Sequence, residues 1–232
     1  MIEVRGLVKR YGLKPVLRGL DFSVAAGEFV ALVGPNGAGK TTFLRILTSL
    51  ARPTAGIIQI ASVPIPGGES QVRRLIGVVA HQPMLYGDLT AQENLEFFGR
   101  MYDLAEVDQR VEETLKLVGL WKVRRELLRA FSRGMQQRLA IARAILHQPE
   151  LLLLDEPHTG LDQDAALILD DLLAQVASLG RTVVMTSHDL ARAHRLADRV
   201  DILSRGRVAT SISTSTVTTE GLAEAYREAT RG

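Results

Sequence analysis

The sequence predicts an α/β fold: a parallel sheet core carrying a phosphate-binding loop, with an antiparallel β appendage and an inserted helical segment. Three observations carry that expectation. Residues 34–41 read GPNGAGKT and fit G-x-x-x-x-G-K-[ST] at every specified position. Later in the chain, short apolar runs without polar interruption alternate with helical periods, as when strands lie buried between helices. Near the start, strand-like runs follow one another with no helix between them, which argues for antiparallel pairing.

In chain order, Ile2–Val8 alternates weakly and reads as a strand, and Val16–Val24 as a second, closed by a turn at Ala25-Ala26-Gly27. Phe29–Val33 is a short apolar run suited to a buried strand. Thr42–Leu47 follows the phosphate loop as a helix whose N-terminus faces the anion. Ala55–Ile60 is another strand, and Pro64–Gly68 is a loop by composition. Leu75–Ala80 is nearly continuous in apolar residues and suits a strand buried on both faces. Thr90 and Glu93 have capping-box spacing ahead of Leu95–Phe98. Val111, Leu115 and Val118 share a helical face, and Arg138–Leu146 continues as a helix that Pro149 ends. Residues 84–147 therefore form the expected helical insertion. Leu151–Leu154 is an uninterrupted apolar strand. Leu169, Leu172, Leu173 and Val176 recur at helical spacing, and Thr182–Thr186 is a strand. Ser211–Thr219, rich in Ser and Thr, reads as a loop opening a C-terminal tail over residues 211–232.

Bulk composition bounds the function. The 232 residues suffice for one substantial core, or one core plus a subdomain, and 46% are hydrophobic. Lys+Arg 28 against Asp+Glu 26 leaves +2, so no long-range field toward nucleic acid is implied and no nucleic-acid partner is expected. Cysteine is absent, which excludes disulfides and thiol chemistry. Charges interrupt the N-terminal stretch, so no signal peptide is visible. Apolar runs stay far below the ~18 residues that span a bilayer. A membrane role would need a partner.

Each specified residue of the loop has a phosphate-binding use. Gly34, Gly37 and Gly39 allow the tight turn that aims amide N–H groups at a polyphosphate. Lys40 reaches the β- and γ-phosphates as a mobile cation, and the Thr41 hydroxyl ligates Mg²⁺. Asn36, Ala38 and Thr42 are the loop's further candidate contacts. At the end of its strand, Asp155-Glu156 reads alone as a solvated acidic turn. Beside a phosphate loop it reads as a pair in which Asp155 holds Mg²⁺ and Glu156 polarises the attacking water. His188 alone favours a helix-cap region. As a third strand-end polar group it becomes a donor to the γ-phosphate or the water. Gln82, in His81-Gln82-Pro83, reads equally as a ligand to Mg²⁺ or water and as a plain loop residue. Ser132 is a good N-cap for the helix that it precedes.

The set resembles an ATP-binding cassette, the RecA-like P-loop NTPase domain of ABC transporters. GPNGAGKT resembles the family's Walker A loop, LLLLDEP its Walker B strand and Thr159–Asp162 its D-loop. Ser187-His188 resembles the switch histidine, and Gln82 the Q-loop glutamine. FSRGMQQR resembles the signature LSGGQ followed by QR. Tyr11, which alone reads as a strand-edge tyrosine, resembles the aromatic that stacks on adenine. The matches run in family order over residues 2–210.

This resemblance implies that two copies sandwich two ATP molecules. Lys40, Thr41, Asp155 and Gln82 would come from one copy and Ser132 and Gly134 from the other, with Asp162 near the shared site. Glu156 would be the base and His188 the γ-phosphate contact. It also implies integral membrane subunits docked near the Gln82 loop, and a place on the cytoplasmic face of the inner membrane held through them. Arg133 and Met135 depart from the usual glycine and glutamine, a variant similar to exporter-type cassettes. The stretch from Phe131 to Asp162 is similar to haem-exporter ATPases of cytochrome c maturation, and also to drug, lipid and polysaccharide exporter ATPases. His158, between Glu156 and the D-loop, reads as a surface residue. Three rival readings are a soluble cassette acting on DNA or ribosomes, a P-loop kinase and a binding-only cassette. The first lacks its usual coiled coil or second cassette here, the second would not need the signature, and Glu156 with His188 argues against the third.

Overall fold

The computed structural model describes residues 1–80 and 82–231. Strands β1 (Ile2–Tyr11) and β2 (Lys14–Val24) pair antiparallel, with Ile2, Val4, Leu7, Leu17, Leu20 and Phe22 turned inward. β4 (Ala55–Ile60) pairs with β1, and β5 (Val63–Ile65) with β4, giving a 4-stranded sheet in the order β2-β1-β4-β5. The loop expected at Pro64–Gly68 therefore begins as an edge strand, the position in a sheet where proline is tolerated.

The 6-stranded sheet runs β10-β9-β3-β8-β7-β6. Its strands are β3 (Phe29–Val33), β6 (Ile76–Val79), β7 (Leu151–Asp155), β8 (Thr182–Ser187), β9 (Arg199–Ser204) and β10 (Arg207–Ser213). All pair in parallel except β10, which returns antiparallel along β9. Buried on both faces, β3 sends Phe29, Ala31 and Val33 to one core and Val30 and Leu32 to the other. The second core includes α1 (Lys40–Leu47) and the antiparallel sheet; the first is covered by helices.

Those helices are α3 (Ala91–Met101), α4 (Val107–Leu117) and α5 (Arg133–Ile145), which pack on one another, then α6 (Gln163–Ser178), α7 (Leu190–Leu196) and α8 (Thr219–Thr230). The capping box at Thr90 is formed in both directions. The C-terminal half of α5 lies so close to β6 that a Cβ on Gly77 would overlap the carbonyl oxygen of Ala144. A short helix, α2 (Glu69–Leu75), takes the Leu75 end of the expected strand.

The expected loop at Ser211–Thr219 is a correction. Ser211–Ser213 completes β10, Thr214–Thr216 is a 3-10 turn, and Thr218 caps α8, accepting from the Gly221 N–H at 3.2 Å. Residues 211–231 are thus not a tail: Leu222, Ala225, Tyr226 and Ala229 face the core at helical spacing. Gly232 lies outside the described residues. No helix among the described residues is long and apolar enough to cross a membrane.

Candidate active site

The carboxyl ends of β3, β8, β7 and β6 lie along one edge, with Val33 paired to Ser187, Asp155 to Thr186 and Val79 to Leu154. Their loops hold the site. After β3, Gly34 has no space for a side chain, because a Cβ would overlap the carbonyl oxygen of Leu203. Gly39 has φ 114°, and a Cβ there would meet Leu17 of β2. The loop thus closes tightly onto α1, which begins at Lys40.

Lys40 is 7% exposed. Its Nζ donates to the Gly34 carbonyl at 2.7 Å and lies 3.7 Å from Glu156 Oε1. A cation that buried needs an anion nearby, and the loop around it is built for phosphate. Asp155 is also buried. Its Oδ1 accepts from Thr41 Oγ1 at 3.2 Å and from Thr186 Oγ1 at 2.8 Å. Thr186 Oγ1 in turn accepts from the Glu156 N–H at 2.9 Å. Glu156 stands in the left-handed region at φ 50°, a conformation costly for glutamate and held here by its neighbours. Its Oε2 lies 2.8 Å from His188 Nδ1, with Glu156 20% and His188 69% exposed at the side chain.

The oxygens of Thr41 and Asp155 are hard donors that fit Mg²⁺. Among the described residues no group of three or more His, Cys, Asp or Glu could hold a metal alone. That suits an ion that takes one or two protein oxygens and fills its shell with phosphate and water.

The structure brings together Lys40, Thr41, Asp155, Glu156 and His188 around the glycine turn of residues 34–39. Asn36 is exposed on that turn, Ala38 is buried in it and Thr42 is half-buried in the first turn of α1. Gln82 is exposed in the loop after β6, and its neighbour His81 lies outside the described residues. Tyr11 ends β1 half-exposed, with Lys9 Nζ 4.7 Å from its ring centre. Ser132 caps α5, its Oγ accepting from the Met135 N–H at 3.3 Å, and Gly134 packs so closely on Ala165 of α6 that a Cβ would press on its methyl. Asp162 caps α6, accepting from the Ala165 N–H at 2.8 Å. No hydrogen bond joins Ser132 to Lys40, Thr41, Asp155 or Glu156 among the described residues.

The surface reading of His158 is a correction: its side chain is 10% exposed and lies 2.8 Å from Asp170 Oδ1 on α6. Burial pushes its pKa down to about 4. Thr186, which belongs to no motif in the sequence, ties both carboxylate positions. Its only signal is a hydroxyl near the end of an apolar strand.

A family model described as "ABC transporter" matches residues 17–159. The chain belongs to the ABC transporter family. It is an ATP-binding cassette. The cassette is 39% identical over 209 residues to the Nod factor export ATP-binding protein I of Ralstonia nicotianae (strain ATCC BAA-1114 / GMI1000), covering 89% of this chain and 65% of that relative. It is 36% identical to the linearmycin resistance ATP-binding protein LnrL of Bacillus subtilis (strain 168), over 90% of this chain and 68% of the relative. The cassette spans about two thirds of the length of such curated relatives. Among solved structures, an ATP-binding subunit of an ABC transporter superposes with TM-score 0.88 at 32% identity, each chain covered over 100%. A dimeric, post-hydrolysis state of the cassette MJ0796 bound to ADP and Pi superposes with TM-score 0.83 at 31% identity, covering 92% of this chain and 99% of that one. The relatives' names attach to export and drug resistance; the finer similarity to haem exporters gains no support from them.

Proposed function

We propose that this cassette is the ATP-hydrolysing subunit of an ABC exporter and powers transport through membrane subunits as two copies close over ATP. The observation that carries this reading is the convergence of a buried Lys40, a strained Glu156 and His188 on the phosphate loop. The export direction rests on relatives whose names attach to export and drug resistance. Lys40 offsets charge on the terminal phosphates. Glu156 takes a proton from the attacking water, and His188, within hydrogen-bond reach of its carboxylate, holds the water and the γ-phosphate. Mg²⁺ held by Thr41 and Asp155 would neutralise phosphate charge that grows during transfer. Ser132 and Gly134 serve the site of a second copy, and Tyr11 and Gln82 serve the adenine and the metal or water.

A cleft of 540 Å³ lies beside the Gln82 loop, lined by Leu50, Ile76, Met84, Phe98, Met101 and Arg143 among others. Its apolar wall suits a segment of a membrane subunit, whose docking holds the cassette on the cytoplasmic face of the membrane.

Glu156→Gln tests the reading. Removing the base should lower ATP turnover at least about 100-fold while ATP binding persists. Wild-type turnover in that variant would remove Glu156 from the role of base.

A further inference from the structure

Behind the reacting groups, a second line of contacts joins the same two loops. His158 lies two residues past Glu156 and reaches Asp170, which is 4% exposed. Arg192 of α7 donates through Nε to Asp170 Oδ2 at 3.2 Å and through Nη1 to Asp189 Oδ2 at 2.9 Å. Asp189 caps α7, accepting from the Arg192 N–H at 2.9 Å, and it is the residue after His188. Arg195 adds a further pair to Asp170 from a more exposed position. The line runs His158–Asp170–Arg192–Asp189. At the front, the Glu156–His188 contact closes it into a ring.

A space-filling role does not account for His158. Its Nε2 is 2.8 Å from Asp170 Oδ1, and the same oxygen is 3.0 Å from Arg192 Nε, so the buried imidazole meets a carboxylate that is already held by a cation. Burying an imidazole and a carboxylate costs free energy that only their pairing offsets, so an apolar side chain would fill the space at less cost. Nor does charge sensing account for it. With a pKa of about 4, caused first by burial, the imidazole is neutral near neutral pH. What the ring of contacts does have is a strained segment to hold: Glu156 at φ 50° starts the turn, Thr159 N–H donates to its carbonyl at 3.1 Å, and His158 anchors the far side.

We infer that His158, Asp170 and Arg192 form a brace that sets the spacing of Glu156 and His188, which makes His158 a positioning residue for hydrolysis. This rests on Glu156 and His188 being the reacting pair.

The test is a kinetic double-mutant cycle on the full chain, measuring kcat and KM for MgATP. His158→Ala should lower kcat about tenfold, the scale of a modest misplacement, and leave KM unchanged. His158→Gln, which restores a neutral donor near the Nε2 position, should recover most of the rate. In a His188→Ala background, His158→Ala should cost nothing further. The same loss in both backgrounds, or no loss in His158→Ala alone, would overturn the brace. If His158→Ala does not fold, Arg192→Gln cuts the same line and must show a kcat loss that disappears in the His188→Ala background. Full turnover in His188→Ala alone is a separate outcome: it overturns the reading of the reacting pair, and the brace with it.

Discussion

Thr186 holds two adjacent backbone and side-chain positions with one hydroxyl. It donates to Asp155 Oδ1 and accepts from the Glu156 N–H, at the end of a strand with no exposed residue. Thr186→Val keeps the shape and removes both bonds. Asp155 Oδ1 would then keep only Thr41, and the Glu156 N–H would lose its acceptor beside a strained φ. Leaving such groups unpaired costs about 1–3 kcal/mol. Chemical unfolding should register that loss of stability, and kcat should fall because the base is no longer fixed. A variant as stable and active as wild type would show that the hydroxyl does not hold the site. Thr186 could not be found from sequence, since a threonine in a strand carries no spacing that marks it as a partner of Asp155. Lys40 and Thr41 were legible because each occupies a fixed place in a motif whose backbone geometry is itself dictated by glycine.

Elements were legible where apolar periodicity is strong. The runs at Phe29–Val33 and Leu151–Asp155 are buried throughout, and helix α6 turns Leu169, Leu172, Leu173 and Val176 to the core. β10 and α8 were hidden because Ser and Thr fill the end of β10 and the approach to α8, so pairing along β9 and the Thr218 cap decide what composition could not. The helix α5 carries a pH response of its own. His147, just past its end, stacks on Tyr102 at 4.0 Å between ring centres, and its Nε2–H donates to the Ile76 carbonyl at 3.1 Å. Burial first, then Arg181 and Arg143 nearby, pushes its pKa down to about 4. The folded protein therefore keeps His147 neutral, while the unfolded chain takes up a proton below about 6.5. The unfolded state binds more protons in that window, so the stabilisation is complete above pH 6.5 and is lost as pH falls toward 4. After allowing for partial solvent contact the loss is about 2 kcal/mol. His147→Gln keeps a donor but does not titrate. Urea unfolding at pH 7 and pH 4.5 should show a smaller drop for this variant than for wild type. That difference isolates His147 from carboxylates that titrate in both proteins. Equal drops would mean that His147 is not held neutral by the fold.

At the scale of the whole molecule, the chain carries both groups of residues proposed to build a shared site, and no hydrogen bond joins the two groups among the described residues. Lys40, Thr41, Asp155, Glu156 and His188 gather at strand ends of the parallel sheet, whereas Ser132 sits at the start of α5, its hydroxyl used to cap that helix. Arg133 folds against Gly160, which has φ 77° and no Cβ to obstruct it, so the departure from the common signature is accommodated within the chain. The motif order was legible from sequence, but where the two halves of the site lie relative to each other was not, because that depends on helix packing such as Gly134 against Ala165. If the second half of the site comes from another copy, damage at Ser132 must separate binding from turnover. Ser132→Arg places a long cation at an exposed helix start that makes no hydrogen bond to Lys40, Thr41, Asp155 or Glu156 among the described residues. ATP binding to a single copy, measured by titration at low protein concentration, should be unchanged. Hydrolysis should fall at least about tenfold, the scale on which a misplaced contact to the transferring phosphate acts. Wild-type turnover per chain should also rise with protein concentration, since closure needs two copies. Equal loss of binding and turnover in Ser132→Arg would place Ser132 in its own chain's site instead, and a concentration-independent rate would remove the second copy from the reaction.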